Sequence, residues 1–474
     1  MKKVAVRFGK LEAFAFVSGF ALMAFELAGA RILAPGIGSS IYVWTSVIGV
    51  IIAALSVGYW LGGKLADSRG YAIDVARLSL VSGFLIACTM VWYSGVIDWA
   101  SQNIVDPRLQ GVIASLLLFA PASLALGMIS PYLAKLKVRS LSSTGRSIAG
   151  LSAMNAIGSI SGTFVTGFIL FGYIGAHETL AITAVTMVAI SWLLIPRVQW
   201  KLRLGVSLAT LVVVGFSTPV SNVVAIDTPT SHYNVLESDG VRWLVTGPRG
   251  AQSGVDPEKP DELAYWYAQK MASLVEHVLN HDDILVLGGG AFVIPRYLAD
   301  KYPDSNIDVV EIDPRLAEIA REYFFYDDPP NVNLIFQDAR TFVNQTNRTY
   351  DVILIDVYGD IEVPFTFMSR EYGRQIERIT ASDGVVAANV IANTTGACKE
   401  TLNAMDAPYR AYFDFARYDI QDEDDRSTNM ILAYSRQPFV FDGSRPLVLK
   451  GEPLFNDNFV PAERLQYDCL YSNL

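Results

Sequence analysis

Long apolar runs fill the first 220 residues of this chain, and after them the apolar runs shorten to strand length. A stretch of about 20 apolar residues can cross the ~30 Å hydrocarbon core of a bilayer. Seven segments qualify: Phe14–Leu33, Val43–Gly63, Leu78–Ile97, Gly111–Leu133, Ile148–Ile174, Leu180–Ile195 and Leu204–Val220. The sequence therefore predicts a multi-pass helical bundle of about seven helices, with the lipid bilayer as its first partner.

Charge divides at the same point as hydropathy. Residues 1–220 hold 16 Lys and Arg against 7 Asp and Glu, which leaves 21 basic and 40 acidic residues for the remainder. The two parts thus carry roughly +9 and −19. This pattern predicts a transmembrane domain at 1–220 and a soluble acidic domain at 221–474. The second comprises a small β-rich part at about 221–255 and an α/β core at about 260–440, with no nucleic-acid partner expected.

Basic residues in alternate loops predict the orientation of the bundle, because cytoplasmic loops carry an excess of Lys and Arg. They are Lys2, Lys3, Arg7, Lys10, then Lys64, Arg69, Arg77, then Lys135, Lys137, Arg139, Arg146, and finally Arg197, Lys201, Arg203. The N-terminus is therefore expected in the cytoplasm of a cell-membrane protein. An odd number of spans then places the soluble domain outside, provided that Leu204–Val220 crosses.

Several residues within the apolar runs have structural or functional interpretations. Gly158 and Gly162 form a G-x-x-x-G step, which favours close helix packing. Pro131 predicts a kink in the fourth segment. Glu26 and Arg31 are costly inside a bilayer, so they indicate either a polar site or a structural link between helices.

Cysteine usage leaves two alternatives open. Cys398 and Cys469 are the only two in the soluble domain. A disulfide between them would suit an oxidising compartment. Two free thiols are equally compatible with the sequence.

The soluble domain alternates short apolar strands with helices. The strands are Asp283–Gly288, a strand ending at Asp313, Val332–Phe336, Tyr350–Ile355 and Gly384–Val390. This alternation predicts a Rossmann-like, doubly wound parallel sheet. A ligand of such a sheet binds across the carboxyl ends of the strands.

Residues at these strand ends suit a nucleoside. Gly288-Gly289-Gly290 lets a ligand approach backbone N–H groups, and Glu311, about 20 residues on, can accept ribose hydroxyls. Val293 occupies the place of the third glycine in a G-x-G-x-x-G fingerprint, which argues against an NAD site. Asp338 follows the next strand. Together they predict an adenosyl-sulfonium site.

The chain resembles membrane-fused members of the spermidine synthase (polyamine aminopropyltransferase) family. The matching segments are Ser231-His-Tyr-Asn-Val, Gly250-Ala-Gln-Ser-Gly, Asp261-Glu-Leu-Ala-Tyr, Ile284-Leu-Val-Leu-Gly-Gly-Gly, Val309-Val-Glu-Ile-Asp-Pro, Gln337-Asp-Ala-Arg and Tyr350-Asp-Val-Ile-Leu-Ile-Asp. In the membrane half they are Glu26-Leu-Ala-Gly-Ala-Arg-Ile-Leu-Ala-Pro and Gly58-Tyr-Trp-Leu-Gly-Gly-Lys-Leu-Ala-Asp.

The resemblance implies that the α/β domain is of the spermidine synthase/methyltransferase type. It also implies a site for the co-substrate decarboxylated S-adenosylmethionine. The residues expected at its nucleoside are Gln252, Gly288, Gly290, Glu311 and Asp338. Asp356 would take the proton from an attacking amine, since a carboxylate at a strand end can act as a general base. The residues expected at the amine are Tyr265, Tyr358 and Asp360. No metal is implied, and because soluble relatives commonly associate, homo-oligomers are compatible with it.

Two positions depart from the soluble synthases. Ala291 stands where they usually have an acid that serves the aminopropyl donor. The D-x-x-D step at the catalytic acid is one residue longer here, from Asp356 to Asp360. The nucleoside half of the site is therefore better kept than the amine half.

Three functions are compatible with the sequence. The first is a membrane-bound aminopropyltransferase acting on a small-molecule amine. The second is an extracytoplasmic enzyme on the same fold, without a sulfonium donor, in which Asp356 is a base on an envelope glycan, lipid or surface protein. The third is a transport or sensing protein. The acidic domain would attract a cationic substrate in the first case.

Overall fold

A computed structural model describes residues 8–38, 40–138, 144–194, 200–216, 224–228, 230–247, 251–358, 363–423, 427–449 and 453–471. The chain divides into two compact units. The helical unit comprises Met1–Ser221 together with Ile226–His232, and the α/β unit comprises Asn222–Ala225 and Tyr233–Leu474.

The helical unit places a helix at each of the seven apolar segments. Its helices are α1 (Phe8–Ile37), α2 (Ile41–Ser68), α3 (Ala72–Asn103), α4 (Pro107–Leu118), α5 (Ala120–Lys137), α6 (Thr144–Val165), α7 (Phe171–Tyr173), α8 (Gly175–Leu194) and α9 (Trp200–Phe216). A π-helical turn, Thr166–Leu170, joins α6 to α7. Among the described residues, five helices are long and apolar enough to cross a membrane, or six if α4 and α5 form one bent span. Helix α9, with 17 residues, is not among them, so the predicted count of seven stays a prediction.

The fourth predicted span is broken by 55° between α4 and α5. The break lies at Phe119 rather than at Pro131, which stays inside α5. Pro121 stands in the first turn of α5, where its missing N–H costs no helical hydrogen bond. A proline in that position favours starting a new helix.

Close packing at the G-x-x-x-G step is confirmed. A Cβ added at Gly158 would lie 2.0 Å from the carbonyl oxygen of Phe16 on α1, and one at Gly162 would lie 2.6 Å from that of Phe20. Only glycine allows this approach of α6 to α1.

Arg31 links helix α1 to the short segment Ile226–His232 of the same unit. Its guanidinium donates to the carbonyl oxygen of Thr228 and, at 3.4 Å, to that of Ser231. It also lies 4.6 Å above the ring of Phe171. These contacts favour the structural interpretation of Arg31, since its donors are engaged by backbone and ring.

A small sheet and a large one follow the helices along the chain. The strands are β1 (Val224–Asp227), β2 (His232–Ser238), β3 (Val241–Val245), β4 (Ala251–Val255), β5 (Asp283–Leu287), β6 (Asn306–Glu311), β7 (Val332–Phe336), β8 (Tyr350–Ile355), β9 (Thr380–Ala392), β10 (Phe415–Ile420), β11 (Thr428–Ser435) and β12 (Arg445–Pro446). The small sheet has the order β1-β2-β3-β4, and the large one the order β12-β10-β11-β9-β8-β5-β6-β7.

Helices connect the strands of the large sheet. They are α10 (Trp266–Glu276), α11 (Val293–Lys301), α12 (Pro314–Tyr323), α13 (Ala339–Gln345), α14 (Arg370–Ile379), α15 (Cys398–Arg410) and α16 (Ala462–Tyr471). The five predicted strands are β5 to β9, and these five pair with one another only in parallel. The antiparallel edge of β10, β11 and β12 was not predicted.

The burial of β8 agrees with its central place in the large sheet. Every residue of β8 is buried, as expected for a central parallel strand covered on both faces. Tyr350 at its start donates to Asp308 of β6 at 2.8 Å, so the polar end of this strand is also satisfied.

Cys398 at the start of α15 and Cys469 in α16 form a disulfide. Both residues are buried. Of the two alternatives left open by the sequence, the structure therefore has the bonded one.

Candidate active site

The carboxyl ends of the parallel strands bring the predicted site residues to one edge of the sheet. Gly288 follows β5, Glu311 ends β6, and Asp356 follows β8. The ladder continues past the strands, because Gly288 donates its N–H to the Val310 carbonyl at 2.9 Å and Asp356 donates to the Leu287 carbonyl at 2.8 Å. The predicted residues are thus held by backbone bonds at the place where a doubly wound sheet binds its ligand.

The glycine turn is shaped first by its protein neighbours. Gly288 has φ +94°, and a Cβ there would lie 2.1 Å from the carbonyl oxygen of Asp356. Gly290 has φ +51°, and its Cβ would lie 2.6 Å from the hydroxyl oxygen of Ser253. Both positions therefore need glycine for backbone conformation and close approach. Their contact with a nucleoside stays a prediction.

Glu311 is buried and holds the same turn. One carboxylate oxygen accepts the N–H of Gly289 at 2.8 Å, and the other accepts the N–H of Asp313 at 2.9 Å. Burial raises the pKa of Glu311, and these backbone donors partly offset it. Each carboxylate oxygen has a second lone pair. Because Gly290 also donates its N–H to this carboxylate, Glu311 can hold the turn and still accept one ribose hydroxyl.

Asp338 is exposed and caps a helix. Its carboxylate accepts the N–H of Thr341 at 2.8 Å in the first turn of α13. This is an ordinary N-cap bond, and it orients the side chain at the strand-end edge. The structure gives Asp338 a local role, and its contact with an adenine amino group stays a prediction.

Asp356 is the most perturbed acid of this edge. It is half-buried, and its Oδ1 accepts a hydrogen bond from the side-chain amide of Asn389 at 3.0 Å. Burial raises the pKa of Asp356 to about 6, against the opposing effect of hydrogen bonds from Asn389 and Tyr267. A carboxylate with such a pKa is ionised at neutral pH and is well suited to accept a proton.

Asn389 on β9 was missed by the sequence prediction. Its amide nitrogen binds Asp356, while its Oδ1 is buried and has no hydrogen-bond partner within the described part of the chain. A buried, unpaired acceptor is costly unless a ligand or water pairs with it. The available signal was a single polar residue inside the apolar strand Gly384–Val390.

Tyr267 was missed as well. Its hydroxyl donates to the main-chain carbonyl of Gln252 at 2.6 Å and also contacts the carboxylate of Asp356. The phenol has one proton for these two acceptors. Tyr267 thus connects strand β4 to the candidate base, and nothing in the sequence distinguishes it from its neighbour Tyr265.

Three residues were predicted at the amine, and their contact with an amine stays a prediction. Tyr265 lies against Tyr267 and Trp243, with ring centroids 5.1 and 5.0 Å away, and burial and the charge of Asp356 raise its pKa. Tyr358 donates to the main-chain carbonyl of Asn389 at 2.9 Å. Asp360 lies outside the described residues.

An apolar pocket adjoins Asp356. Its lining includes Val357, Val363, Phe367, Asn389 and Tyr409. Asn389 is the polar member nearest the base, so the pocket has one polar end. Across the described residues, no group of three or more His, Cys, Asp or Glu side chains could hold a metal ion.

Comparisons with known proteins relate part of the α/β unit to one family. Residues 266–420 match the family model described as "Spermine/spermidine synthase domain". The chain is 31% identical over 144 residues to a polyamine aminopropyltransferase of Vibrio vulnificus, a match that covers 30% of this chain and 46% of the relative. It is 33% identical over 126 residues to a probable polyamine aminopropyl transferase of Bifidobacterium longum, covering 26% of this chain and 28% of the relative.

A solved structure of a probable spermidine synthase from Corynebacterium glutamicum is 24% identical, with a TM-score of 0.40. That likeness covers 47% of this chain and 82% of the solved chain. The chain spans less than half the length of the two curated relatives above. Residues 266–420 are thus similar to a spermine/spermidine synthase domain, and a unit of long apolar helices precedes them in the chain.

Proposed function

We propose that this protein is a membrane-bound aminopropyltransferase that moves an aminopropyl group from decarboxylated S-adenosylmethionine to an amine. The observation that carries the proposal is the pair Asp356 and Asn389. It places an ionised carboxylate and an unpaired amide oxygen side by side at the edge that also holds Glu311. Family enzymes use this donor, and the matched domain contains every one of these residues.

The chemistry needs one proton transfer. The amine nitrogen attacks the carbon next to the sulfonium, a C–N bond forms, the C–S bond breaks, and methylthioadenosine leaves. The amine proton goes to Asp356, whose pKa of about 6 keeps it ionised at neutral pH. The free Oδ1 of Asn389 accepts a second N–H of the amine and fixes its orientation.

On the donor side of the site, the proposed contacts are to the nucleoside. Glu311 accepts one ribose hydroxyl, and Gln252 and Asp338 bind the remaining nucleoside. Ala291 is buried and uses its N–H on Ser253 at 3.1 Å, so this position supplies no charge for an aminopropyl ammonium. We expect the donor to be held mainly through its nucleoside.

The helical unit is proposed to cross the cell membrane, with the N-terminus in the cytoplasm and the α/β unit outside. The alternating basic loops support this orientation. The disulfide between Cys398 and Cys469 supports it independently, since disulfides persist in oxidising compartments.

The same disulfide favours a second candidate function. Sulfonium donors are made in the cytoplasm, so a domain in an oxidising compartment would depend on donor delivered across the membrane. Without that delivery, Asp356 would be a base on an envelope glycan, lipid or surface protein, with no sulfonium donor. The fold and the base would be shared by the two candidates, and the donor would differ.

Donor binding decides between them. The full chain is purified in detergent, and calorimetry measures its affinity for methylthioadenosine, with the Glu311→Gln variant alongside. Binding by the parent and weaker binding by the variant support the aminopropyltransferase. Turnover is then followed as methylthioadenosine released from the donor with a panel of diamines. No adenine-nucleoside binding by a folded parent would overturn the first candidate.

A further inference from the structure

We infer that the segment 453–471, here called the strap, is a positioning element for the amine side of the site. It acts through Gln466 and is fastened by the disulfide between Cys398 and Cys469. The kinetic part of this inference rests on the proposed aminopropyltransferase function. The structural part does not.

Gln466 makes a two-way clasp on the chain just beyond the candidate base. Its Oε1 accepts the N–H of Val363 at 2.7 Å, and its Nε2 donates to the Val363 carbonyl at 3.1 Å. Gln466 is 3% exposed, so water competes little for these bonds. Val363 follows Asp356 by seven positions in the sequence, so the clasp fixes the backbone a short distance along the chain from the base.

Val363 is also a wall of the apolar pocket. Phe367 and Met368 continue that wall, and Asn389 forms the polar end that bonds Asp356. A shift of Val363 therefore changes the width of the pocket beside the base. Gln466 touches neither Asp356 nor Asn389 directly, so its effect on the amine would pass through the pocket wall.

The strap is anchored at both ends. Cys469 binds covalently to Cys398 of α15, and Thr401 of α15 donates its hydroxyl to the Leu465 carbonyl at 2.8 Å. At the other end, Asp457 accepts from Arg340 at 2.8 Å. Helix α16 has only 10 residues, and helices this short are marginal without tertiary support.

The disulfide therefore matters for the pocket as well as for stability. Opening it with a dithiol, which gives two thiols here and a disulfide in the reagent, would release α16 from α15. The clasp on Val363 would weaken with it. Oxidising conditions would then favour the geometry that binds the amine.

The kinetic test compares Gln466→Met with Asn331→Leu. Met keeps the volume of Gln but makes no amide bonds. Asn331 is the matched control, since its side-chain amide also binds loop carbonyls, those of Tyr302 and Ser305 at 3.1 and 3.2 Å, at the opposite edge of the sheet. We expect Gln466→Met to raise KM for the amine about threefold to tenfold, the value of one net hydrogen bond, with kcat and methylthioadenosine affinity unchanged. Asn331→Leu should leave KM unchanged.

A second readout needs no activity. Hydrogen exchange of residues 363–369 should be faster in Gln466→Met and in the Cys398→Ser/Cys469→Ser double variant, and unchanged in Asn331→Leu. If the parent protein shows no turnover, the proposed function fails while exchange still decides the role of the strap. Unchanged exchange would overturn the inference, as would faster exchange in an active enzyme whose KM stays at the parent value.

Discussion

The carboxylate of Asp356 and the side-chain amide of Asn389 lie 3.0 Å apart on the neighbouring strand ends of β8 and β9. The bond favours the ionised carboxylate, while burial favours the neutral acid, and burial has the larger effect. The result is an acid whose pKa lies close to the pH at which it would work. The first three predictions follow from this balance, and the fourth follows from the glycine turn beside it.

Replacing Asp356 by Asn should lower turnover by about 10²–10⁴-fold, because the amide keeps the shape but cannot accept the proton. Steady-state release of methylthioadenosine measures the loss. Asp351→Asn is the matched control at the other end of β8, where Asp351 accepts from Asn280 at 3.1 Å. Near-normal turnover by a folded Asp356→Asn protein would remove this residue from the mechanism.

The same variant should unfold at a higher temperature near neutral pH. The folded-state pKa of Asp356 is raised to about 6, so the folded protein loses stability as pH rises from the unfolded pKa to the folded one. Asn carries no such penalty, and the gain in free energy of unfolding is up to about 3 kcal/mol above that interval. Thermal unfolding should show no gain at pH values below about 4, where the acid is neutral in both states. A variant less stable than the parent at neutral pH would contradict the assigned burial.

Asn389→Leu should shift the acid limb of the kcat/KM profile to higher pH. Asp356 must be ionised to act, and losing the amide donor removes support for its charge, so its pKa rises further. Affinity for the amine should fall as well, since the free Oδ1 is lost. An unmoved acid limb would show that Asn389 does not set the charge of the base.

Glu311 is predicted to contribute both to nucleoside binding and to the stability of the fold. Glu311→Ala should weaken methylthioadenosine binding by roughly 1.5–3 kcal/mol, the worth of a charged acceptor. It should also lower stability, because the N–H groups of Gly289 and Asp313 lose their acceptor. Glu311→Gln keeps one acceptor oxygen and should be milder in both measurements. Calorimetry and thermal unfolding of the same preparations give the two values.

The side of the membrane can be read from one engineered thiol. Ser238 is exposed in the α/β unit, and Cys88 is the free cysteine among the described residues. In a Cys88→Ala background, a Ser238→Cys protein should react with an impermeant thiol reagent in intact cells. Reaction only after lysis would place the α/β unit in the cytoplasm and return it to the donor pool.

Strand order along the chain was accessible from the sequence because five apolar runs end in turn residues or acids. The sequence alone therefore sufficed to predict Glu311, Asp338 and Asp356 at one edge of the sheet. The antiparallel strands β10 to β12 could not be predicted, since their partners depend on long-range pairing with β9. Asn389 and Tyr267 were missed for the same reason, because each acts on Asp356 from an element remote in sequence.

The helical unit was predicted less completely from the sequence. Hydropathy located every helix, yet the break at Phe119 depends on where a new helix starts rather than on which residues are apolar. Whether the short α9 crosses the bilayer decides the predicted side of the α/β unit. Its 17 residues are long enough only for a thin or locally adapted bilayer.

In the proposed catalytic cycle, the single hydroxyl proton of Tyr267 is shared differently before and after transfer. While Asp356 is ionised, it competes with the Gln252 carbonyl for that proton. Once Asp356 has taken the proton of the amine, it can donate to the phenol oxygen, and the phenol then donates fully to Gln252. Strand β4, which carries the nucleoside contact predicted for Gln252, would thus be held differently before and after transfer. Substrate and product complexes would differ in rigidity even if no side chain moved.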